Sequence, residues 1–327
     1  MKIYSMDVAE VVLDALKEHG VSLLLDIDSF ETIINSYSVD LYEECYLIVQ
    51  GLRQRVLQLL MFERHVTPRA AVDTLHTYTG LDENDALFTF AALSEIVKRV
   101  EWDIEVVNLA SVYDGAVESD DITAMKLIAM LYYDGVGVPQ DYEKAYQLFE
   151  RLEDLGDDEA YYYLGLMREH GLGVEEDKAM ARQYYIRGAS LNENECLYKL
   201  GMMQYRDGQK DEALETLIES EDPRAYGAVG DILKNQRDFR GAFKAYMNGA
   251  TQFHGHSLQM VSEGYEYGMG IMKNDEKALM YQAYAYYMRD PEATRALALR
   301  FENGEGVKQD HERAVKLIET YERLTKA

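Results

Sequence analysis

The stretch AYYYLGLMREHGLGVEEDKAMARQYYIRGA at residues 160–189 carries small residues at Ala160, Gly165 and Ala181, and a Gly-Leu-Gly-Val loop at 171–174. A Gly-x-Gly turn opening onto a helix could cradle a phosphate, so its recurrence decides what it is for. It does recur, as GVGV at 135–138, GMGI at 268–271 and GEGV at 304–307. The first two loops start 36 residues apart, as do the last two; the 97 residues between the second and third divide into units of 29, 32 and 36 if two units lack the loop. A phosphate loop would occur once and continue into Lys-Ser/Thr, which none of the four does. The glycines therefore read as hairpin turns that need a positive φ, with the following Val or Ile plugging the hairpin end.

Aligning on the glycines brings further columns into register. Ala124, Ala160, Cys196, Ala225, Ser257 and Ala293 open the units, and a second small column follows five positions later at Ala129, Gly165, Gly201, Gly230, Ser262 and Ala298. Past the loop come Ala145, Ala181, Ala213, Ala242, Ala278 and Ala314, then large side chains at Phe149, Tyr185, Leu217, Tyr246, Tyr281 and Ile318. Small residues let two helices approach, and large ones fill the space between them. Asp222-Pro223 and Asp290-Pro291 supply an N-cap and an N1 proline where first helices should begin.

These features together resemble Sel-one-like repeats, longer-looped relatives of tetratricopeptide repeats. The resemblance implies an all-α fold: a right-handed α-α superhelix of six hairpins at about 124–159, 160–195, 196–224, 225–256, 257–292 and 293–327. The units at 196–224 and 225–256 lack the glycine loop, and Arg168 and Gln204 stand where the repeat usually has an aromatic.

Residues 1–100 lack the period but keep helical patterning, as in Val8, Val11, Val12, Ala15 and Leu16 ending at Gly20. Further helices are predicted over about 29–38, 41–61, 67–78 and 83–99, making a small all-α domain. LKEHGVSLLLDIDSFETIINSYS, at 16–38, is faintly similar to an uncharacterised bacterial helical domain. Residues 101–121 form an acidic join without Lys or Arg, and its 103–117 half is predicted to be a helix capping the array.

The chain has 59 acidic against 33 basic residues, a formal charge of −26. That charge repels nucleic acid and anionic membrane and favours basic or neutral partners. No signal-like start or apolar run of membrane-spanning length is present, and the two cysteines, Cys45 and Cys196, stand far apart without a metal-ligand partner at short spacing. The expectation is a cytoplasmic protein without cofactor or metal, with a homodimer left open.

Catalytic signatures are missing. His254 and His256 in FHGHS lack a third ligand at suitable spacing, LDENDALF at 81–88 has Leu87 where a calcium loop needs glycine, and neither G-x-S-x-G nor H-E-x-x-H occurs. What remains is a surface. First-helix positions one before the opener and two, six and nine after it point away from the packing positions, and the resemblance to tetratricopeptide arrays implies that they line a concave groove. They include Tyr133; Glu159, Tyr162 and Glu169; Glu195, Tyr198, Met202 and Tyr205; then Arg224 and Asp231, His256, Glu263 and Glu266. Tyr133, Tyr162, Glu169, Tyr198, Met202, Tyr205, Glu263 and Glu266 are the candidate peptide-binding residues, suited to a basic segment with apolar anchors. The expected function is a non-catalytic scaffold or adaptor; the alternatives are an enzyme or regulatory activity within residues 1–100, or a self-associating structural protein.

Overall fold

Asp121, Asp141, Asp177, Asp238, Asn274 and Asp290 each accept a backbone N–H from the first turn of the helix that follows. These caps satisfy donors that a helix start leaves unpaired, and they set the rhythm of the repeat region. The computed structural model describes residues 4–19, 30, 31, 33, 34, 41–53, 68–99, 117, 119–135 and 139–326. Among them the chain forms 16 helices and no strand. The helix predicted at 103–117 falls almost wholly outside the described residues, as do most of the one at 29–38, the second half of the one at 41–61 and the Val-Gly-Val of the first glycine loop.

The first four described helices are α1 (Val8–His19), α2 (Tyr42–Arg53), α3 (Pro68–Thr79) and α4 (Glu83–Arg99). Asp82 caps α4 through the N–H of Asp85 at 2.9 Å, so LDENDALF is a helix start. Six hairpins follow: α5 (Ile122–Asp134) with α6 (Tyr142–Asp154), α7 (Glu159–His170) with α8 (Lys178–Ser190), and α9 (Asn194–Arg206) with α10 (Lys210–Glu219). The later three are α11 (Pro223–Asn235) with α12 (Phe239–Thr251), α13 (Gly255–Tyr267) with α14 (Asp275–Tyr287), and α15 (Pro291–Asn303) with α16 (His311–Lys326). The units without a glycine loop turn on one left-handed residue each, Gly208 at φ 86° and Arg237 at φ 65°.

The chain divides into two compact units, residues 102–229 and residues 1–101 together with 230–327. In the first, α5 to α10 pack in chain order, each helix against the next. Gly165 lies under the ring of Tyr185, where an added Cβ would fall 2.5 Å from Cε1, and Gly201 meets Leu217 in the same way at 2.6 Å. Cys196 is buried against Gly188 of the preceding hairpin, and burial raises its thiol pKa.

In the second unit Gly230 lies under Tyr246, and α12 through α16 pack in chain order. The N-terminal helices belong here: α1, α2 and α3 pack on α4, and α4 packs on α14. The backbone N–H groups of Tyr4 and Met6 donate to the buried hydroxyls of Tyr287 and Tyr286 at 2.9 and 3.1 Å. Phe88 meets Tyr287 edge-on, with centroids 5.6 Å apart, and Arg289 pairs with Glu95 at 3.1 Å.

The loop glycines do two jobs. Gly171, Gly268 and Gly304 end first helices in the left-handed conformation. The second glycine of a loop also touches the preceding hairpin: a Cβ on Gly173 would fall on the carbonyl of Tyr142, and one on Gly270 on that of Phe239. Gly156 has φ +83° but open space around it. Gly156→Ala should therefore cost only the left-handed penalty of about 1–2 kcal/mol. Gly173→Ala should cost a further ~1–3 kcal/mol by overpacking, and urea unfolding of the two variants checks the difference.

Candidate peptide-binding face

Groups on the first helices of consecutive hairpins meet across the join between them. In the unit of residues 102–229, Lys126 on α5 reaches Asp157 at 2.7 Å and Glu159 on α7 at 3.0 Å. Glu169 on α7 accepts from the Tyr185 hydroxyl at 2.8 Å and from Lys199 on α9 at 2.9 Å. Arg224, at the start of α11, donates from Nε to both oxygens of Asp222 at 3.0 and 2.9 Å and lies 3.7 Å from Glu195 on α9.

The tyrosines gather around these charges. The Arg224 guanidinium lies over the Tyr198 ring, 4.6 Å from its centroid, and its charge acts on the Tyr162 hydroxyl against the rise that burial causes. Tyr162 meets Tyr163 edge-on at 5.2 Å, and Tyr163 meets Tyr133 edge-on at 5.6 Å. Burial, then Tyr162, Tyr142 and Asp134, push the Tyr133 hydroxyl up to about 12. Met202 and Tyr205 are half-buried and follow Tyr198 by one and two turns on α9.

The candidate residues thus fall into three groups. Tyr162 and Tyr198 share Arg224, Met202 and Tyr205 continue from Tyr198 along α9, and Tyr133 joins them through Tyr163. Glu169 is only 8% exposed and its carboxylate is engaged internally. Burial alone would raise it, but the bonds from Lys199 and Tyr185 hold it below the ordinary carboxylate value. Glu263 and Glu266 belong to the other unit, where Glu263 lies 3.8 Å from Lys234 and Glu266 pairs with Arg300 at 2.9 Å.

Glu195 is the residue whose importance sequence reasoning missed. Burial and Glu193 push its carboxyl up to about 7; Arg224 pulls the other way, while Asp222 and Glu159 add to the rise. Glu193 is itself spent capping α9, accepting from the N–H groups of Glu195 and Cys196. Asp157 and Glu159 thus flank Lys126, Asp222 and Glu195 flank Arg224, and Glu193, Asp222 and Glu159 all bear on the Glu195 carboxyl. The signal was present in the sequence, since Glu159, Glu195 and Arg224 each stand one residue before a unit opener.

Chemistry elsewhere is sparse. His256 Nε2 lies 3.0 Å from both oxygens of Asp231, and His254 Nδ1 lies 2.8 Å from Ser257 Oγ. Among the described residues no three His, Cys, Asp or Glu side chains are grouped to hold a metal ion. No described helix is long and apolar enough to cross a membrane.

The Sel1 repeat family matches residues 122–157, 158–193, 256–287 and 291–319. No curated protein sequence gives a significant match. Among solved structures, a Sel1 repeat protein from Oxalobacter formigenes is similar at 23% identity and TM-score 0.57, over 66% of this chain and 93% of that one. The protein c5321, a protective antigen present in uropathogenic Escherichia coli strains and displaying an SLR fold, is similar at 16% identity and TM-score 0.56, over 98% of this chain and 79% of that one. The hairpins α9/α10 and α11/α12, outside the family matches, keep the glycine-under-large-side-chain contact at Gly201 and Gly230. With hairpins of one grammar from residue 122 onward and four stretches matched by the family, the chain carries Sel1 repeats within an array of helical hairpins.

Proposed function

We propose that the chain is a non-catalytic adaptor that holds a basic peptide segment with apolar anchors against α7, α9 and the start of α11. Sel1-repeat proteins in general mediate protein–protein interactions, and the proposal adds a place and a chemistry. It is carried by the crowding of carboxyl groups at Glu195, where Glu193, Asp222 and Glu159 bear on a carboxyl 3.7 Å from Arg224, whose guanidinium rests over the ring of Tyr198. Arg224 itself supports the reading, because a guanidinium already rests there on a tyrosine face. A second cation from a partner would relieve the crowded carboxylates, and a tyrosine face adds ~0.5–2 kcal/mol. Met202 and Tyr205 offer an apolar continuation along α9.

Glu195 makes the proposal dependent on pH. Its folded value of about 7 lies above the ordinary 4.5, so ionising it opposes folding increasingly as pH climbs through that window. Glu195→Gln should therefore raise the melting temperature above that of the parent at pH 8, and the gain should vanish near pH 4.5. For a cation-bearing ligand the sign is reversed, because Glu195 attracts it only once ionised. A fluorescent peptide alternating Arg and Leu should bind the full chain more tightly as pH rises through about 7, as followed by anisotropy. Binding to the Glu195→Gln variant should be flat across that range, and binding to Tyr198→Ala/Tyr205→Ala should be weaker throughout. Undiminished binding by the tyrosine variant, or a parent affinity independent of pH, removes the proposal.

A further inference from the structure

The second, separate surface lies between α12 and the GMGIM loop at 268–272. An open hollow of about 560 Å³ is lined there by Arg240, Phe243, Lys244, Met247 and Ile271, with Asp238 at its edge. Asp238 is occupied as the cap of α12, accepting from the N–H of Gly241 at 2.9 Å. Arg240 and Lys244, one turn apart, are exposed and form no ion pair with any described residue. Phe239, Ile271 and Met272 next to them are 42%, 37% and 86% exposed. Large apolar side chains in contiguous exposure mark contact surfaces on soluble proteins.

The chain provides its own control for this chemistry. The loop glycine against the carbonyl of Phe239 corresponds to Gly173 against that of Tyr142, which puts α12 and the GMGIM loop in register with α6 and the GLGVE loop. At the earlier copy the exposed positions include Glu143, Lys144, Gln147, Glu150, Glu175 and Glu176. Their counterparts at the later copy are Arg240, Gly241, Lys244, Met247, Met272 and Lys273. One backbone thus presents four carboxylates and one lysine in one place, and three cations with two methionines in the other. Apart from Met247, which is half-buried, these side chains are exposed in both copies, so hairpin packing does not dictate the exchange.

We propose that the hollow between α12 and residues 268–272 docks an acidic peptide segment of a protein partner, one that sets Asp or Glu beside a large apolar side chain. The carboxylates pair with Arg240 and Lys244, and the apolar side chain fills the space against Phe243, Met247 and Ile271. On a chain of charge −26 an acidic ligand is repelled by most of the surface, so unpaired cations together with apolar area are what such a ligand requires. This preference is opposite in sign to that proposed for the face around Glu195, so the two surfaces can be tested independently.

Random-peptide display on the full chain, with a parallel selection on the Arg240→Glu/Lys244→Glu variant, tests the assignment. The parent should enrich peptides that combine Asp or Glu with Leu, Phe or Trp, and the variant should not. The best such peptide should bind the variant roughly tenfold more weakly or worse by fluorescence anisotropy, and should bind the parent more weakly as salt rises. Met272→Asp, at an 86% exposed position, should weaken it without touching either cation. The proposal is overturned if no acidic family is enriched or if both selections return the same peptides. It is equally overturned if the peptide is lost on Tyr198→Ala/Tyr205→Ala rather than on these variants. Sedimentation showing a parent dimer that the double variant abolishes would assign the hollow to a second copy of this chain instead.

Discussion

A large side chain lying over a glycine is the contact on which this structure depends. Gly165 under Tyr185 and Gly230 under Tyr246 let the two helices of a hairpin approach more closely than any Cβ would permit. The ring brings a hydroxyl into the interior, and a buried hydroxyl without a partner would be costly. Tyr185 donates to Glu169 at 2.8 Å and Tyr246 to Asp231 at 2.7 Å, both carboxylates on the first helix of the same hairpin. A carboxylate withdrawn from water in turn calls for a further partner, and the next hairpin supplies it: Lys199 for Glu169, His256 for Asp231. Burial would raise both carboxyl groups, yet these bonds hold them below the ordinary values. Glycine, tyrosine, carboxylate and a basic side chain thus form one relay that couples packing within a hairpin to stacking between hairpins.

The relay also explains which parts of the molecule were legible in the sequence. The columns holding Gly165, Tyr185, Gly230 and Tyr246 recur in register from unit to unit, so their small and large characters could be read before any coordinates. The face bearing Tyr162 and Tyr198 follows from helical geometry once those columns are set. Glu169 was assigned to that face by the same rule, but its use depends on Lys199, which stands three residues after its own opener and outside the groove positions. Likewise, the crowding around Glu195 depends on Glu193 capping a helix and Asp222 claiming Arg224, and neither follows from a period. Residues 1–100 have no period at all, so nothing in their pattern foretold backbone donors at Tyr4 and Met6 meeting Tyr287 and Tyr286.

A repeat scaffold separates the work of folding from the work of recognition. The same hairpin grammar carries a tyrosine and carboxylate cluster at Tyr162, Glu195 and Tyr198, and a basic, apolar hollow at Arg240, Lys244 and Met247. On the two proposed readings, recognition depends on what the exposed columns display, and the buried columns fix where they display it.

The most direct test of the account is the coupling between Gly165 and Tyr185, measured by urea unfolding in a double-mutant cycle. Gly165→Ala should destabilise the parent by about 1–3 kcal/mol but cost almost nothing once Tyr185→Ala has removed the ring, a strongly non-additive result. If the alanine costs the same in both backgrounds, the ring does not rest on the glycine and the relay built on that contact is wrong.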